Sequence, residues 1–538
     1  MYNDIDSLIK NMEIREKIAQ KFLQDFVGKE DLTEDLKKMN RDNKFGGVIF
    51  FSGSNVEDIE QLRSLTSKIQ SYAKENKYNL PFFITLDQEG GQLSAVYRGN
   101  TIFPGNMAIG LGGDIELAYK IGNHVGKELR YAGINVCFAP VLDVSYDHKD
   151  GINIVDNRMF SSEPNIVADM GEAFIKGIQE AGIIACAKHF PGQRLTQRDT
   201  HHQSDLIEYS MERLENVELV PFKRAIRAGV KAIMMHHGVY TALDNLPASI
   251  SPKVISFLRN KLKFEGLIIT DDLVMKSIKD VYGYEKAIEM AVNAGVDLII
   301  ASDSKEWAID VVADRVKKGI ISEDIINESL ARILKAKMTE SFRKPNTKKR
   351  FNIKKGNKLS YNLSKKAIIR YKDEKNMLPL RLNKNKRLGI ILGNPARLVM
   401  SDTVNFYDIS LKDVITKKGY HKKVKESIMP WNPTDEEKLS LSDIGFVSDV
   451  IIFLTVNAYH FTGQLDILKA IRESDSEKKI ISVALRSPDD MKLLAPYSDV
   501  VLSTGGITPL QIEALVDIIF RKYEYIETEG KKIWVNGK

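Results

Sequence analysis

Asp199, Thr200 and His201 place a carboxylate and an imidazole two residues apart. In an extended segment those side chains can point the same way, because successive residues alternate sides. The carboxylate can then hydrogen-bond one ring nitrogen, fix the tautomer and raise the basicity of the other, as a histidine acid/base requires. Five of the nine histidines (His189, His201, His202, His236 and His237) fall between positions 189 and 237. A D-x-H triplet is weak evidence alone, so its setting matters. The apolar run 183–186 reads as a buried strand that delivers Lys188 and His189 to a loop opened by Pro191-Gly192. A second group lies in L-I-I-T-D-D-L-V-M (267–275), where an apolar strand presents Asp271. A carboxylate there can act as a nucleophile or stabilise an oxocarbenium ion. Asp272 is expected to cap a helix beginning near Leu273.

The elements that must position these groups follow a βα alternation over residues 8–340. Strands are predicted at 21–26, 47–51, 82–87, 136–143, 183–189, 232–237, 267–271 and 298–302, with helices such as 59–75, 115–131, 166–181 and 211–229 between them. Eight such units predict a TIM (β/α)8-type barrel, whose chemistry sits at the carboxyl ends of its strands. Those ends carry Asp87, Asp143, Lys188-His189, His236-His237 and Asp271-Asp272, so ionisable groups from five strands would meet in one mouth. The domain expectation is a barrel at 1–340, a linker at 341–358 and a smaller α/β sandwich at 359–538. The linker reading comes from eight Lys or Arg and no acid between Ser341 and Ser360. In the last domain, apolar runs at 388–392, 450–455, 479–485 and 500–503 suggest a doubly wound sheet. It has no G-x-G-x-x-G or P-loop pattern and so no predicted nucleotide site.

At 538 residues, two or three domains are expected. Outside the basic stretch the chain has 70 bases against 72 acids, which gives no reason to expect a nucleic-acid partner. There is no apolar run of membrane-spanning length, and the amino terminus lacks an apolar signal region; both favour a cytoplasmic protein. Cys137 and Cys186 lie in strand-like runs and read as buried small side chains. The oligomeric state is not written in the sequence.

Several ordered motifs resemble glycoside hydrolase family 3, in its β-N-acetylglucosaminidase (NagZ-like) branch. They are L-D-Q-E-G-G (86–91), F-P-G-N-M-A-I-G (103–110), N-I-V-D-N-R-M-F-S-S-E-P (153–164), K-H-F-P-G (188–192) with D-T-H (199–201), and T-D-D-L-V-M (270–275). The second domain is similar to that of two-domain members from Gram-positive bacteria. The resemblance implies a retaining exo-β-N-acetylglucosaminidase acting on β-linked glycans such as cell-wall muropeptide fragments, with no cofactor or metal. It implies Asp271 as the nucleophile that forms a covalent glycosyl-enzyme, and His201 as acid/base oriented by Asp199. Asp87, Arg158, Lys188 and His189 would bind the sugar, with His237 a binding or supporting residue.

The chain also departs from the family. After K-H-F-P-G the family continues H-G-D-T, but here the chain reads Gln193-Arg194-Leu195-Thr196, and Ala95 stands where an Arg is usual, with Arg98 nearby. These changes point to a shifted substrate, and Arg194 could face an anionic substituent. Phosphorolysis, a degenerate glycan-binding protein, a metal-dependent hydrolase using the histidines and Asp271, and a Schiff-base lyase using Lys188 are the rival readings. The metal reading lacks an H-x-H or H-E-x-x-H spacing, and a pure binding protein would have no need of a nucleophile.

Overall fold

The structure is a computed structural model, which describes residues 5–145, 158–193, 206–302, 305–339, 342, 350–396, 408–528 and 531–536. Asp199, His201 and the Arg194–Thr196 departures lie outside the described residues.

Eight parallel strands form the first sheet: β1 (Phe22–Gln24), β2 (Gly47–Phe50), β3 (Phe83–Leu86), β4 (Val136–Cys137), β5 (Ile184–Phe190), β6 (Ala232–Met235), β7 (Leu267–Thr270) and β8 (Ile299–Ile300). Their order is β7-β6-β5-β4-β3-β2-β1-β8. A bridge between Ile269 and Leu298 joins the two ends, as the barrel reading expects. Side chains alternate along each strand. Leu23, Ile49, Phe83, Ile184, Cys186, Met234 and Ile269 form an inner cluster, whereas Phe22, Val48, Ile84 and Ile268 pack outward under the helices. Cys137 and Cys186 are fully buried, and burial pushes both thiols up, consistent with packing roles. Ile333, on the helix Glu323–Lys337, and Phe342 join the inner cluster and seal its amino end.

The strands are shorter than the apolar runs. The expected strand 136–143 ends at Cys137, because Pro140 has no amide for the ladder. The segment still follows β5, since the Leu142 amide donates to the Lys188 carbonyl at 2.6 Å. The expected helix 211–229 is two helices, Met211–Asn216 and Leu219–Arg227. Pro221 accounts for the break: its ring would clash with the carbonyl of Val217 in a continuous helix.

The second sheet contains β9 (Ile369–Asp373), β10 (Leu388–Gly393), β11 (Val424–Met429), β12 (Val450–Thr455), β13 (Lys479–Ala484) and β14 (Val500–Ser503), in the order β9-β14-β13-β12-β10-β11. Only β9 runs antiparallel to its neighbour. Apolar residues on each face of the sheet pack with helices, giving two separate clusters.

Reading 341–358 as a linker fails from Ile353 onward, where the helix Ile353–Ala367 begins, capped by the Asn352 side chain on the Lys355 amide. Lys354, Lys355 and Lys358 are exposed while Gly356, Ser360, Leu363, Ser364 and Ala367 are buried, so the charges occupy only one face. That buried face serves both domains. Leu363 and Ala367 belong to the barrel's cluster and Tyr361 packs on that of the second sheet. Gly356 lies so close to the barrel that a Cβ there would be 2.0 Å from Thr101 Oγ1.

Candidate active site

The carboxyl ends of β3 and β5 bring four charged side chains into one network. Lys188 Nζ lies 2.5 Å from Asp87 Oδ1 and 2.6 Å from Glu89 Oε1. Arg158 donates to both Glu89 oxygens, at 2.9 Å from Nε and 2.8 Å from Nη2. The Glu89 and Lys188 side chains are 2% and 3% exposed, so each needs its partner to remain charged. Burial alone would raise the Glu89 carboxyl, but Arg158 and Lys188 outweigh it and hold it at about 2. Burial alone would lower Lys188, but Asp87 and Glu89 outweigh it and raise it. The Arg158 loop is held in turn by Asn106, whose Nδ2 donates to the Arg158 carbonyl at 2.7 Å. The helix Asn106–Gly112 can dock there because of Gly110: a Cβ at that position would lie 1.8 Å from the Phe160 carbonyl oxygen.

His189 is fixed by Asp143. Its Nδ1 lies 2.7 Å from Asp143 Oδ2, while Oδ1 accepts from the His189 and Gln193 amides at 3.0 and 2.8 Å. One carboxylate thus orients the ring and closes the K-H-F-P-G turn. Gly192, at φ 128, completes that turn in a conformation an L side chain rarely adopts.

Asp271 stands just past the end of β7, where Oδ1 accepts from the Asp272 amide at 2.8 Å. Burial alone would raise its carboxyl. The nearby His237 and His189 imidazoles, the Asp272 amide and the Lys188 charge outweigh that and hold it at about 2. His237 is itself pushed toward its neutral form by burial. His237 Nδ1 lies 2.7 Å from Ser249 Oγ and Nε2 lies 2.9 Å from the Asp272 carbonyl oxygen. With both ring nitrogens engaged, His237 braces the backbone beside Asp271 and has no nitrogen left for a sugar or a metal ion. Asp272 does not cap a helix at Leu273: the next helix is Lys276–Tyr282, and Asp272 instead accepts from the Val274 amide at 3.1 Å and from Ser302 Oγ at 2.5 Å.

Asp87, Arg158, Lys188, His189, His237 and Asp271 therefore sit together at one pole of the barrel. Sequence reasoning missed Glu89, the shared counter-ion, although it lies within the D-Q-E-G-G motif. Asp143 was visible as a strand-end acid, but its part in holding His189 was not. Ser249 carried no signal, since its partner is twelve residues away.

The family model for the glycosyl hydrolase family 3 N-terminal domain matches residues 13–336. The chain belongs to glycosyl hydrolase family 3. Among its relatives, a β-hexosaminidase A from Pseudoalteromonas piscicida is 33% identical over 334 residues, covering 57% of this chain and 55% of that protein. The chain thus spans about half the length of that relative. A β-hexosaminidase from Tolumonas auensis is 35% identical over 286 residues, covering 52% of this chain and 83% of its own. The solved structure of a family 3 β-N-acetylglucosaminidase from Paenibacillus sp. matches with a TM-score of 0.86 at 29% identity, covering 95% of this chain and 97% of that one. A β-glucosidase from Listeria innocua has the same fold, with a TM-score of 0.76 at 19% identity. Among the described residues, no helix is long and apolar enough to cross a membrane.

Proposed function

We propose that the protein is a retaining exo-β-N-acetylglucosaminidase, with Asp271 as nucleophile and His201, oriented by Asp199, as acid/base. The observation that carries this reading is the place of Asp271, a carboxylate just past a strand end, beside a network of four paired charges of which Glu89 and Lys188 are buried. A carboxylate at about 2 is ionised at any physiological pH, as attack on an anomeric carbon requires. Asp87, Arg158, Lys188 and His189 present both donors and acceptors to sugar hydroxyls and an acetamido group. His201 would protonate the glycosidic oxygen as the bond breaks, then deprotonate the water that releases the sugar from Asp271. The names of the relatives and of the Paenibacillus structure support β-linked N-acetylhexosamine as the sugar. Fragments of cell-wall muropeptide type are the first natural substrates to test.

The deciding experiment is a hydrolysis screen of aryl β-glycosides (N-acetylglucosaminide, glucoside, xyloside and glucosaminide), with the product anomer followed by NMR. Release of β-N-acetylglucosamine as the first-formed anomer is expected. An α first product, or preference for another glycoside, would overturn the assignment. Running the screen with and without inorganic phosphate separates hydrolysis from phosphorolysis.

A further inference from the structure

The helix Asn106–Gly112 is the mount on which Glu89 and Arg158 meet. Near its amino end, Gly91 packs so closely that a Cβ there would lie 2.8 Å from the Gly105 amide nitrogen, and the Gly91 amide donates to the Phe103 carbonyl at 2.8 Å. The turn that follows Glu89 is therefore locked to the segment leading into the helix. The Arg158 loop is locked to the helix itself, through the Asn106 side chain and through the contact of Gly110 with Phe160. A shift of this helix would displace the backbone behind both partners of the ion pair.

The same helix also meets the second domain. Just past β14, Gly505 lies against it: a Cβ at Gly505 would be 2.6 Å from Leu111 Cδ1 and 3.8 Å from the Ala108 Cα. The Gly505 loop is held on its own side, since the Gly506 amide donates to the Leu485 carbonyl at 2.7 Å and Gln511 Nε2 donates to the Thr504 carbonyl at 3.0 Å. A second path begins at Tyr97, a barrel residue that is 7% exposed and belongs to an apolar cluster of the second domain. Its neighbour Val96 is clasped by Gln88: Nε2 donates to the Val96 carbonyl at 3.0 Å, and Oε1 accepts from the Val96 amide at 3.0 Å. Gln88 is buried and directly precedes Glu89.

Two contacts thus lead from the second domain to the Glu89–Arg158 pair, and neither passes through Asp271. A close-packed interior passes strain from one element to the next. A two-bonded carboxylate–guanidinium pair is sensitive to such strain, because its strength depends on the alignment of both bonds.

We propose that the second domain acts in sugar binding at one remove, with Leu111 and Tyr97 as positioning residues that carry its contacts to the Glu89–Arg158 pair. The proposal rests on the sugar-binding role given above to Arg158. Leu111→Ala removes the side chain against which Gly505 rests. In the full-length protein it should raise KM for an aryl β-N-acetylglucosaminide by about 3-fold to 10-fold and leave kcat within about 2-fold, the signature of lost binding shared by ground state and transition state. In an Arg158→Ala background it should cause no further rise, because the group it positions is gone. Tyr97→Leu, on the second path, should give the same split if Leu111→Ala folds poorly. Ile480→Val is the control: Ile480 is buried in the cluster on the other face of the second sheet, so the substitution should lower the thermal unfolding midpoint without moving KM. An unchanged KM in both Leu111→Ala and Tyr97→Leu, rises that multiply with Arg158→Ala, or an equal rise from Ile480→Val would leave the contacts purely structural and overturn the proposal. If Arg158→Ala itself leaves KM unchanged, the sugar-binding role of Arg158 falls, and the positioning role falls with it.

Discussion

Lys188, at the carboxyl pole of the barrel, and Lys21 and Lys337, at its amino pole, are each no more than 2% exposed, yet their environments act in opposite directions. Burial alone would lower Lys188, but two carboxylates outweigh it and raise the group. Burial lowers Lys21 to about 7, and the one acid that would oppose this, Asp297, is shared with Arg259 and Arg332. Burial alone lowers Lys337 to about 7; its Nζ donates to Gln20 Oε1 at 2.7 Å and the Gly46 carbonyl at 2.8 Å, both uncharged acceptors. The contrast separates two uses of one residue type. The carboxyl pole keeps a permanent cation balanced by acids, as suits a pocket for a polar ligand. The amino pole needs only a seal, and a long amine that can lose its proton provides one.

That contrast can be tested at several depths. Asp271→Ala should have the largest effect, lowering turnover of an N-acetylglucosaminide by at least about 10³-fold in steady-state assays. A variant with wild-type rates on a natural disaccharide would refute the role of Asp271. Next, Lys188→Met leaves Asp87 and Glu89 without their shared cation and should destabilise the fold by about 3–5 kcal/mol, read from the thermal unfolding midpoint. Lys337→Met replaces a neutralisable amine with an apolar chain of similar length and should change stability by less than about 2 kcal/mol. Equal effects from the two substitutions would erase the distinction between the poles.

The contrast also shows in the pH dependence of stability. In the unfolded chain both amino-pole lysines keep their protons up to the ordinary value of 10.5, but in the folded chain only to about 7. Between those values the unfolded chain binds more protons, so raising the pH favours folding. Each lysine contributes a slope of about 1.4 kcal/mol per pH unit in that window, and none below it. Unfolding midpoints from pH 7 to 9.5 should therefore rise more steeply for wild type than for Lys337→Met. Parallel curves would mean that Lys337 keeps its proton in the fold.

All eight barrel strands were legible because each is an apolar run closed by turn residues. Four strands of the second sheet were legible for the same reason. The two strands missed there, β9 (I-R-Y-K-D) and β11 (V-K-E-S-I-M), lie at the sheet's edges, where solvent replaces one neighbour and the apolar signal disappears. At the site, charged residues at strand ends were readable as chemistry. Their pairing was not, because Glu89–Arg158 and Asp143–His189 are contacts across 69 and 46 positions of chain that only the closed barrel brings together. The helix Ile353–Ala367 was hidden by its lysines, which dominate composition but occupy one side.

That helix also bears on how the molecule comes apart. Its Ser360 hydroxyl bonds the Ile102 carbonyl of the barrel at 2.7 Å, while its Tyr361 hydroxyl bonds Asp517 of the second domain at 2.6 Å. A rod shared between two interiors cannot be released from one without stripping the other. Heating should therefore melt barrel and sandwich in a single calorimetric transition, and cutting the chain just ahead of Ile353 should leave a barrel with an uncovered strip along Thr101, Gly112 and His124.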